Sequence, residues 1–370
     1  MVFLYLNEDQ MIEAGVTHME KCMHSMEEVF RLLKAGDYRM GGANNSSHGL
    51  RVMFPQTSDI ADMPLSAPGR WFTTMPAYLG GKYHVFGIKS YGANQKNSEK
   101  NLPRSILMMS LMDVETGAPL AYMSANILSA MRTGAVSGLA AKYLSRKNPE
   151  KIAIVGPGIM ARYSLDAIMI ACPSLKKISI LGRGRKNIEK FKEHCDSKKY
   201  SFDEYSICSC MEEACKDADI ILTANSQAEK FEDYPYIPAR FIKKGATIII
   251  TSALRVENTF VNNDEMTVCV ADDSRQYKEE RSIDAKPDCE SESITFKNAL
   301  HNRCIQGQSV LNFYDIVVDE DFVRDESKVY FFASGGIPIE DVAWGYECYA
   351  SALEKGIGTL LNLWGESTKL

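Results

Sequence analysis

The segment KIAIVGPGIMARYSLDAI, residues 151–168, limits the possible folds of this chain more than any other. An apolar run ends on a glycine, and a helical pattern begins within a few residues. Gly156, Gly158 and Ala161 stand in a G-x-G-x-x-A spacing across the loop Gly156-Pro157-Gly158-Ile159-Met160-Ala161. Gly156 permits a tight turn, Gly158 lets a pyrophosphate approach the backbone, and Ala161 lets the helix pack close to the strand. The helix N-terminus then offers free N–H groups to the phosphates. Small residues also occur in ordinary strand–helix turns, so context decides. Here the loop follows an apolar strand and opens a series of alternating elements.

That series runs KISILG, IEKFKEHC, YSICS, MEEACKDA, ADIILTAN, RFIKKG, ATIIITSA and TVCVADD. Apolar strands separated by helices predict a parallel sheet covered on both faces. The alternation fades after about residue 320. In a doubly wound fold of this kind the second strand ends near the adenosine ribose. An acid there suits the 2′-hydroxyl of NAD, whereas an arginine accommodates the 2′-phosphate of NADP. The stretch ISILGRGRKN, residues 178–187, has no acid after Gly182, and Arg183, Arg185 and Lys186 follow. Paired, charge-assisted bonds from Arg183 and Arg185 would suit a 2′-phosphate, so NADP(H) is favoured and NAD(H) stays open. The alternative is a solvated basic turn. Thr223, Asn225 and Ser252, at the ends of later strands, are expected near the nicotinamide.

Upstream the pattern differs. LNEDQMIEAGVTHMEKCMHSMEEVFRLLKAG has helical spacing with a glycine at its stop. LRVMF, WFTTM, HVFGIKSY, SILMMSLMDV and PLAYMS then predict mostly antiparallel β-structure. ILSAMRTGAVSGLAAKYLS predicts one long helix of small and apolar residues. The final run, IPIEDVAWGYECYASALEKGIGTLLNLW, is expected to be helical and to belong with the first domain.

Composition excludes several partners. A formal net charge of −6 with no basic run argues against nucleic acid and anionic membranes. No apolar stretch approaches the length of a membrane span. MVFLYLNEDQM lacks the features of a secretory signal, so a cytoplasmic protein is expected. Ten cysteines without a CxxC pair, and six histidines without HExxH, give no metal site. Reduced thiols are the expectation.

A fold of this type does not specify a reaction, which must be sought in the other domain. There FGIKSYGANQKN, DVETGAPLAYMSANILSAMRTGAVSGLAAKYL and SGGIPIEDVAW, together with the GPGIMA loop, resemble the ornithine cyclodeaminase/mu-crystallin family over nearly the whole chain. The resemblance implies a homodimer and an α/β fold. An α+β substrate-binding and dimerisation domain would come from residues 1–130 and 321–370. A Rossmann-type doubly wound parallel sheet over 131–320 would hold NAD(P). It also implies that Arg132 in the M-R-T segment binds the substrate carboxylate, with Arg51 as a second arginine and Lys89 as the lysine of the G-x-K strand.

Elementary chemistry agrees with those residue types. An amino or imino acid is held by its carboxylate, which the planar fork of arginine binds at two points. A nearby lysine can donate a proton to an imine nitrogen while hydride adds to carbon. Arg132 lies in an otherwise apolar, small-residue helix, which favours a buried, partnered cation over a surface arginine. Lys89 is also readable as an exposed strand lysine. Asp341 is readable as an acid in the site or as a helix N-terminal charge.

Two departures refine the resemblance. Cyclodeaminases of the family carry an aspartate after the fifth strand of the nucleotide domain. The matching turn here, TSALRVENTF, has Leu254 and Arg255 instead. Redox chemistry is therefore favoured over ammonia release, with an ornithine cyclodeaminase-type lyase and a non-catalytic NADPH-binding protein as the alternatives. The GGANNSSHG segment is longer and more polar than in mu-crystallin-like members. It looks like the branch that oxidises N-substituted amino acids, with His48 as a substrate contact or a plain turn histidine. The expected enzyme acts at a C–N bond, with Lys89 and Asp341 catalytic.

Overall fold

The computed structural model describes the chain apart from residues 43, 68, 226–227, 229, 280–291 and 366–370. It divides into one unit of Met1–Arg132 with Gly336–Leu370 and a second of Thr133–Gly335. The boundary falls inside the helix Asn126–Leu144.

The first unit is an eight-stranded sheet covered by helices on one face. Its order is Thr359–Asn362, Val2–Leu6, Pro119–Ser124, Ser105–Asp113, Val85–Ala93, Trp71–Leu79 and Tyr38–Met40, with Leu50–Val52 also pairing to Trp71–Leu79. Only the pairing of Val2–Leu6 with Pro119–Ser124 is parallel. The strand Trp71–Leu79 alternates between buried and more exposed residues, as a sheet with one covered face requires. The helix Pro338–Lys355 packs on Trp71–Leu79 and Val85–Ala93 beside the helices Glu8–Ala14 and Met19–Ala35. Trp344 Nε1 donates to Val16 O at 3.1 Å and ties the helix down.

Two expectations for this unit are corrected. The N-terminal helical run is two helices broken at Gly15, and a strand, Val2–Leu6, precedes them. The C-terminal run is helical only to Lys355. Gly356 and Gly358 stop it, and Thr359–Asn362 pairs antiparallel with Val2–Leu6.

The second unit holds an eight-stranded sheet in the order Glu204–Ile207, Lys177–Leu181, Lys151–Val155, Ile220–Thr223, Thr247–Ile250, Val329–Ala333, Thr267–Ala271, Leu311–Asn312. Every pairing is parallel. The chain passes from Lys151–Val155 outward through Lys177–Leu181 and Glu204–Ile207 and then crosses to Ile220–Thr223 on its other side, so a topological switch point lies at its carboxyl end, where open α/β sheets bind ligands. Close helix packing explains the small residues of RTGAVSGLAAK: a Cβ on Gly138 would lie 2.5 Å from Ala167 Cβ, and one on Gly134 would lie 2.7 Å from Tyr163 backbone.

The expected boundary at 320/321 is also corrected, because Val329–Ala333 belongs to this parallel sheet between Thr247–Ile250 and Thr267–Ala271. All five residues of VYFFA are buried, so the strand shows no alternation, and a polar turn rather than a helix precedes it. RFIKKG, expected within the alternation, forms only a short 3-10 turn at Ala239–Phe241. Among the described residues no helix is long and apolar enough to cross a membrane.

Candidate active site

Four ionisable side chains meet inside the first unit. Lys89 extends from the middle of Val85–Ala93, Arg132 from the helix that begins at Asn126, and Glu340 and Asp341 from the first turn of Pro338–Lys355. Lys89 Nζ donates to Asp341 Oδ2 at 2.6 Å and to Ser129 Oγ at 3.3 Å. Arg132 Nε donates to Asp341 Oδ1 at 3.0 Å, and its Nη1 donates to Glu340 Oε2 at 2.7 Å. Lys89 is 2% exposed, Arg132 6%, and the two acids 0%. The quartet is formally neutral, two cations against two anions.

Burial and electrostatics set the protonation states. Burial, reinforced by repulsion from Arg132, lowers the Lys89 ammonium from 10.5 to about 8 against the pull of Asp341. Burial alone would raise the Asp341 carboxyl, but Arg132 and Lys89 hold it below its ordinary value. Burial opposes the charge on Arg132, yet Asp341 and Glu340 drive its pKa above the usual arginine value. A lysine with its pKa lowered to about 8 beside a carboxylate is an arrangement that can exchange a proton near neutrality.

Backbone geometry locks this arrangement. Gly336 has φ +74, and a Cβ there would run into Arg132 Nη1. His48 Nδ1 donates to the Gly336 carbonyl at 2.6 Å, so this histidine of the polar segment braces the turn against Arg132. Residue 43 of that segment lies outside the described residues.

Arg51 does not join the quartet. It is an exposed strand residue whose guanidinium sits 5.0 Å from the centre of the Trp71 ring. Register still puts it on the Lys89 face of the sheet. Arg51 pairs with Thr73, Thr73 with Tyr91, and Lys89 follows two residues from Tyr91.

The second unit carries the glycine loop at the carboxyl end of Lys151–Val155. Gly156 has φ +88, and a Cβ on it would lie 2.7 Å from Asn225 Cα, so only glycine fits. Gly158 starts the helix Ile159–Ala171 with no side-chain cap and has open space where a Cβ would point. That cradle and the open helix start fit a dinucleotide pyrophosphate. Ala161 is fully buried against the sheet, and Ile159 is half exposed. A Cβ on Gly182 would lie 2.8 Å from the Pro157 ring, so the two turns seat against each other.

Asn225 and Ser252 bracket the far side of the loop: Asn225 N–H donates to Ser252 Oγ at 3.1 Å, and Ser252 Oγ donates to Asn225 Oδ1 at 2.7 Å. Thr223 is wholly buried, and its carbonyl accepts from Thr251 N at 3.0 Å and Thr251 Oγ1 at 2.9 Å. Arg183 is exposed at the strand end, while Arg185 donates to Glu189 at 2.7 Å. Leu254, where cyclodeaminases have an aspartate, is buried in the apolar core.

The family resemblance singles out Lys89, Arg132 and Arg51, and the residues around IEDVAW add Asp341; the structure brings Lys89, Arg132 and Asp341 together, while the sequence reading misses Glu340 and Ser129. Ser129 lies three residues before Arg132, one helical turn away, which is the signal that could have found it. Among the described residues no group of His, Cys, Asp and Glu could hold a metal ion.

Comparison with known proteins is consistent across the chain. The model of the ornithine cyclodeaminase/mu-crystallin family matches residues 16–356. The chain is 27% identical over 363 residues, 98% of each chain, to the N-((2S)-2-amino-2-carboxyethyl)-L-glutamate dehydrogenase of Staphylococcus aureus. It is 26% identical to the alanine dehydrogenase of Archaeoglobus fulgidus over 346 residues, 93% of this chain and 94% of that one. An archaeal alanine dehydrogenase dimer with bound NAD shares the fold at a TM-score of 0.77 and 23% identity, covering 98% of this chain and 100% of the other.

Proposed function

The chain belongs to the ornithine cyclodeaminase/mu-crystallin family, and we propose that it is an NAD(P)-dependent oxidoreductase of the C–N bond, reducing an α-imino acid or oxidising the corresponding α-amino or N-substituted amino acid. The observation that carries this reading is the buried quartet, in which Lys89 has a pKa of about 8 beside an ionised Asp341. Bound NAD(P) supplies hydride to the substrate carbon, or accepts it in reverse. Lys89 gives its proton to the imine nitrogen during reduction and takes one from the amine during oxidation. Asp341, held as a carboxylate, keeps the ammonium in place, and the proton exchanged at Lys89 is ultimately drawn from or returned to solvent. Arg132 fixes both acids; its Nη2, which touches only Ser129 Oγ at 3.5 Å, is the nitrogen that would turn to a substrate carboxylate, and Arg51 adds a cation on the same sheet face.

Several residues support the cofactor reading. Gly156, Pro157, Gly158, Ile159, Met160 and Ala161 form the phosphate loop, with Gly182, Asn225 and Ser252 shaping its walls; Thr223 contributes through its backbone. The exposed Arg183 and the absence of an acid after Gly182 support NADP(H) over NAD(H). Arg185 is engaged by Glu189 and adds less.

Assembly as a homodimer is supported by the uncovered face of the first unit's sheet. Register aligns Val52, Phe72 and Ile106 in one row and Leu50 and Met108 in the next. All five are exposed apolar residues, from 39% for Met108 to 75% for Leu50. A contiguous apolar patch of this kind suits an isologous contact across a two-fold axis. A reducing, cytoplasmic setting suits the nine described cysteines, all free.

The test is a cofactor-swap assay at 340 nm, the band of reduced nicotinamide, across cyclic imines and N-substituted amino acids. Cofactor consumption matched to amine formation is expected, with NADPH preferred. Ammonia release with no net absorbance change would replace this reading with a lyase.

A further inference from the structure

The second unit has a cavity at the amino end of its parallel sheet, the edge opposite the glycine loop. Its volume is about 400 Å³, within the range of small-molecule sites, roughly 300–1,000 Å³. Its walls are the end of the helix Asn126–Leu144, the loop that leads into Lys151–Val155, the end of the helix Ile159–Ala171 and the turn before Val329–Ala333. Ile159–Ala171 starts at the glycine loop, and its 13 residues span about 20 Å. The cavity and the glycine loop are therefore separate sites.

Positive charge is concentrated there. Lys142, Arg146, Lys147 and Arg324 line the cavity against one lining carboxylate, Glu326, in a chain of net charge −6. Arg146 also reaches Asp219 at 3.4 Å, but Asp219 is held more closely by Lys243 at 2.6 Å and by the Glu150 N–H at 2.8 Å. Cations at a helix C-terminus ordinarily complement its dipole, and that accounts for Lys142, Arg146 and Lys147. It does not account for Arg324, which arrives from a different segment with its side chain 7% exposed. Burial lowers the Arg324 pKa below the ordinary arginine value, Arg146 adds repulsion, and Glu326 offsets them only in part.

Unpaired donors supply a second argument. Arg324 Nη1 donates to Glu326 at 2.9 Å and Nη2 to the Gly245 carbonyl at 3.0 Å, which fixes the guanidinium. Its Nε is buried with no hydrogen-bond partner, and so is Ser145 Oγ. Both residues line the cavity. Leaving a buried polar group unpaired is costly, and two such donors beside converging cations point to an anion. A phosphate group carries close to two negative charges and about three strong acceptor oxygens, so it can accept from Arg324 Nε, Ser145 Oγ and a lysine together.

We infer that Ser145 and Arg324, with Lys142, Arg146 and Lys147 around them, form a second anion site that takes a phosphate group, separate from the nucleotide loop. The site does not depend on the redox reading.

The test is calorimetric titration of inorganic phosphate and of glycerol 3-phosphate into the full chain saturated with NADPH, at fixed ionic strength, with glycerol as the uncharged control. NADPH keeps its own phosphates on the glycine loop, so the heat reports the second site. Both anions should bind and glycerol should not. Tighter binding of glycerol 3-phosphate identifies a phosphate ester as the ligand, and equal affinity identifies free phosphate. A bond to a charged acceptor is worth roughly tenfold to a hundredfold in affinity, so Ser145→Ala should raise both dissociation constants about tenfold. Ser145 Oγ has no partner within the chain, so its loss should leave the melting temperature unchanged. Lys147→Gln, at an exposed position, should weaken binding by a smaller factor, and Arg324→Met should abolish it. NADPH affinity should be unchanged in Ser145→Ala and Lys147→Gln.

The inference is overturned if neither anion binds, or if Ser145→Ala and Lys147→Gln both keep the wild-type affinity, whatever Arg324→Met does to folding. A chain that binds phosphate but no NADPH removes the cofactor reading and leaves this site standing on the two variants. A chain that reduces imino acids with NADPH but binds neither anion removes only this site.

Discussion

If Lys89 exchanges the reaction proton, the two directions of the reaction must depend on pH in opposite senses around one pKa. Reduction needs the ammonium and oxidation the free amine. With a pKa of about 8, about nine-tenths of Lys89 is protonated at pH 7 and about one-tenth at pH 9. kcat/KM for imine reduction should be flat below about pH 7 and fall tenfold per unit above 8, and oxidation should mirror it. A substrate imine also titrates, so the decisive evidence is how variants move the limb. Asp341 is the anion that holds the pKa up, and Arg132 is a cation that pushes it down. Asp341→Asn should therefore shift the limb to lower pH and Arg132→Met to higher pH. Initial rates at 340 nm between pH 6 and 10, at fixed ionic strength, read both. Lys89→Ala should lose about 10²–10⁴-fold in turnover while still binding NADPH. Limbs that stay put in both variants, or move the same way, would refute the role given to Lys89.

The same group makes stability depend on pH. Its folded pKa lies below its unfolded value of 10.5, so the penalty for burying the ammonium is complete below pH 8 and is relieved as pH rises toward 10.5. The relief amounts to about 3 kcal/mol, and denaturant titrations should find it missing in Lys89→Met. In the nucleotide loop, Gly158→Ala meets open space and should leave the melting temperature unchanged while weakening NADPH. Gly156→Ala meets Asn225 Cα at 2.7 Å with φ +88 and should weaken both. Arg183→Gln should raise the NADPH dissociation constant about tenfold and leave that for NADH alone, as fluorescence titration would show. On the uncovered sheet face, Met108→Asp should convert a dimer to monomers in sedimentation velocity with the nucleotide affinity intact.

Much of this architecture is legible in the order of the residues. The glycine loop announces itself because each small residue answers a local steric demand: Gly156 against Asn225, Gly182 against Pro157, Ala161 against the sheet. Alternating strands and helices identify the parallel sheet for the same reason, since a strand buried on both faces reads as an apolar run. Val329–Ala333 escapes because a polar turn, not a helix, leads directly into it. Thr359–Asn362 escapes because its apolar residues continue the spacing of the helix before it. Arg51 is assigned to the substrate only through the family resemblance, because the sequence by itself shows only that a cation sits in a strand. That it stacks on Trp71, two rows from Lys89, depends on which strands pair and in what register.

Glu340 shows the same limit from the opposite side. Two acids in the first turn of a helix complement its dipole, and for Glu340 that ordinary role is all IPIEDVAW displays as a string. The structure turns both acids inward, onto cations carried by a strand and by a different helix. As a stabilising device the result is poor, because desolvating four ionised groups consumes most of what their attraction returns. Apolar residues of similar volume would hold these elements together as well or better. What apolar residues cannot do is keep an amine near neutrality with an ionised carboxylate 2.6 Å away. The proposed proton exchange at Lys89 accounts for the quartet where folding does not, and on that proposal substitutions within it should change the pH profile of the reaction before they change the architecture of the sheet.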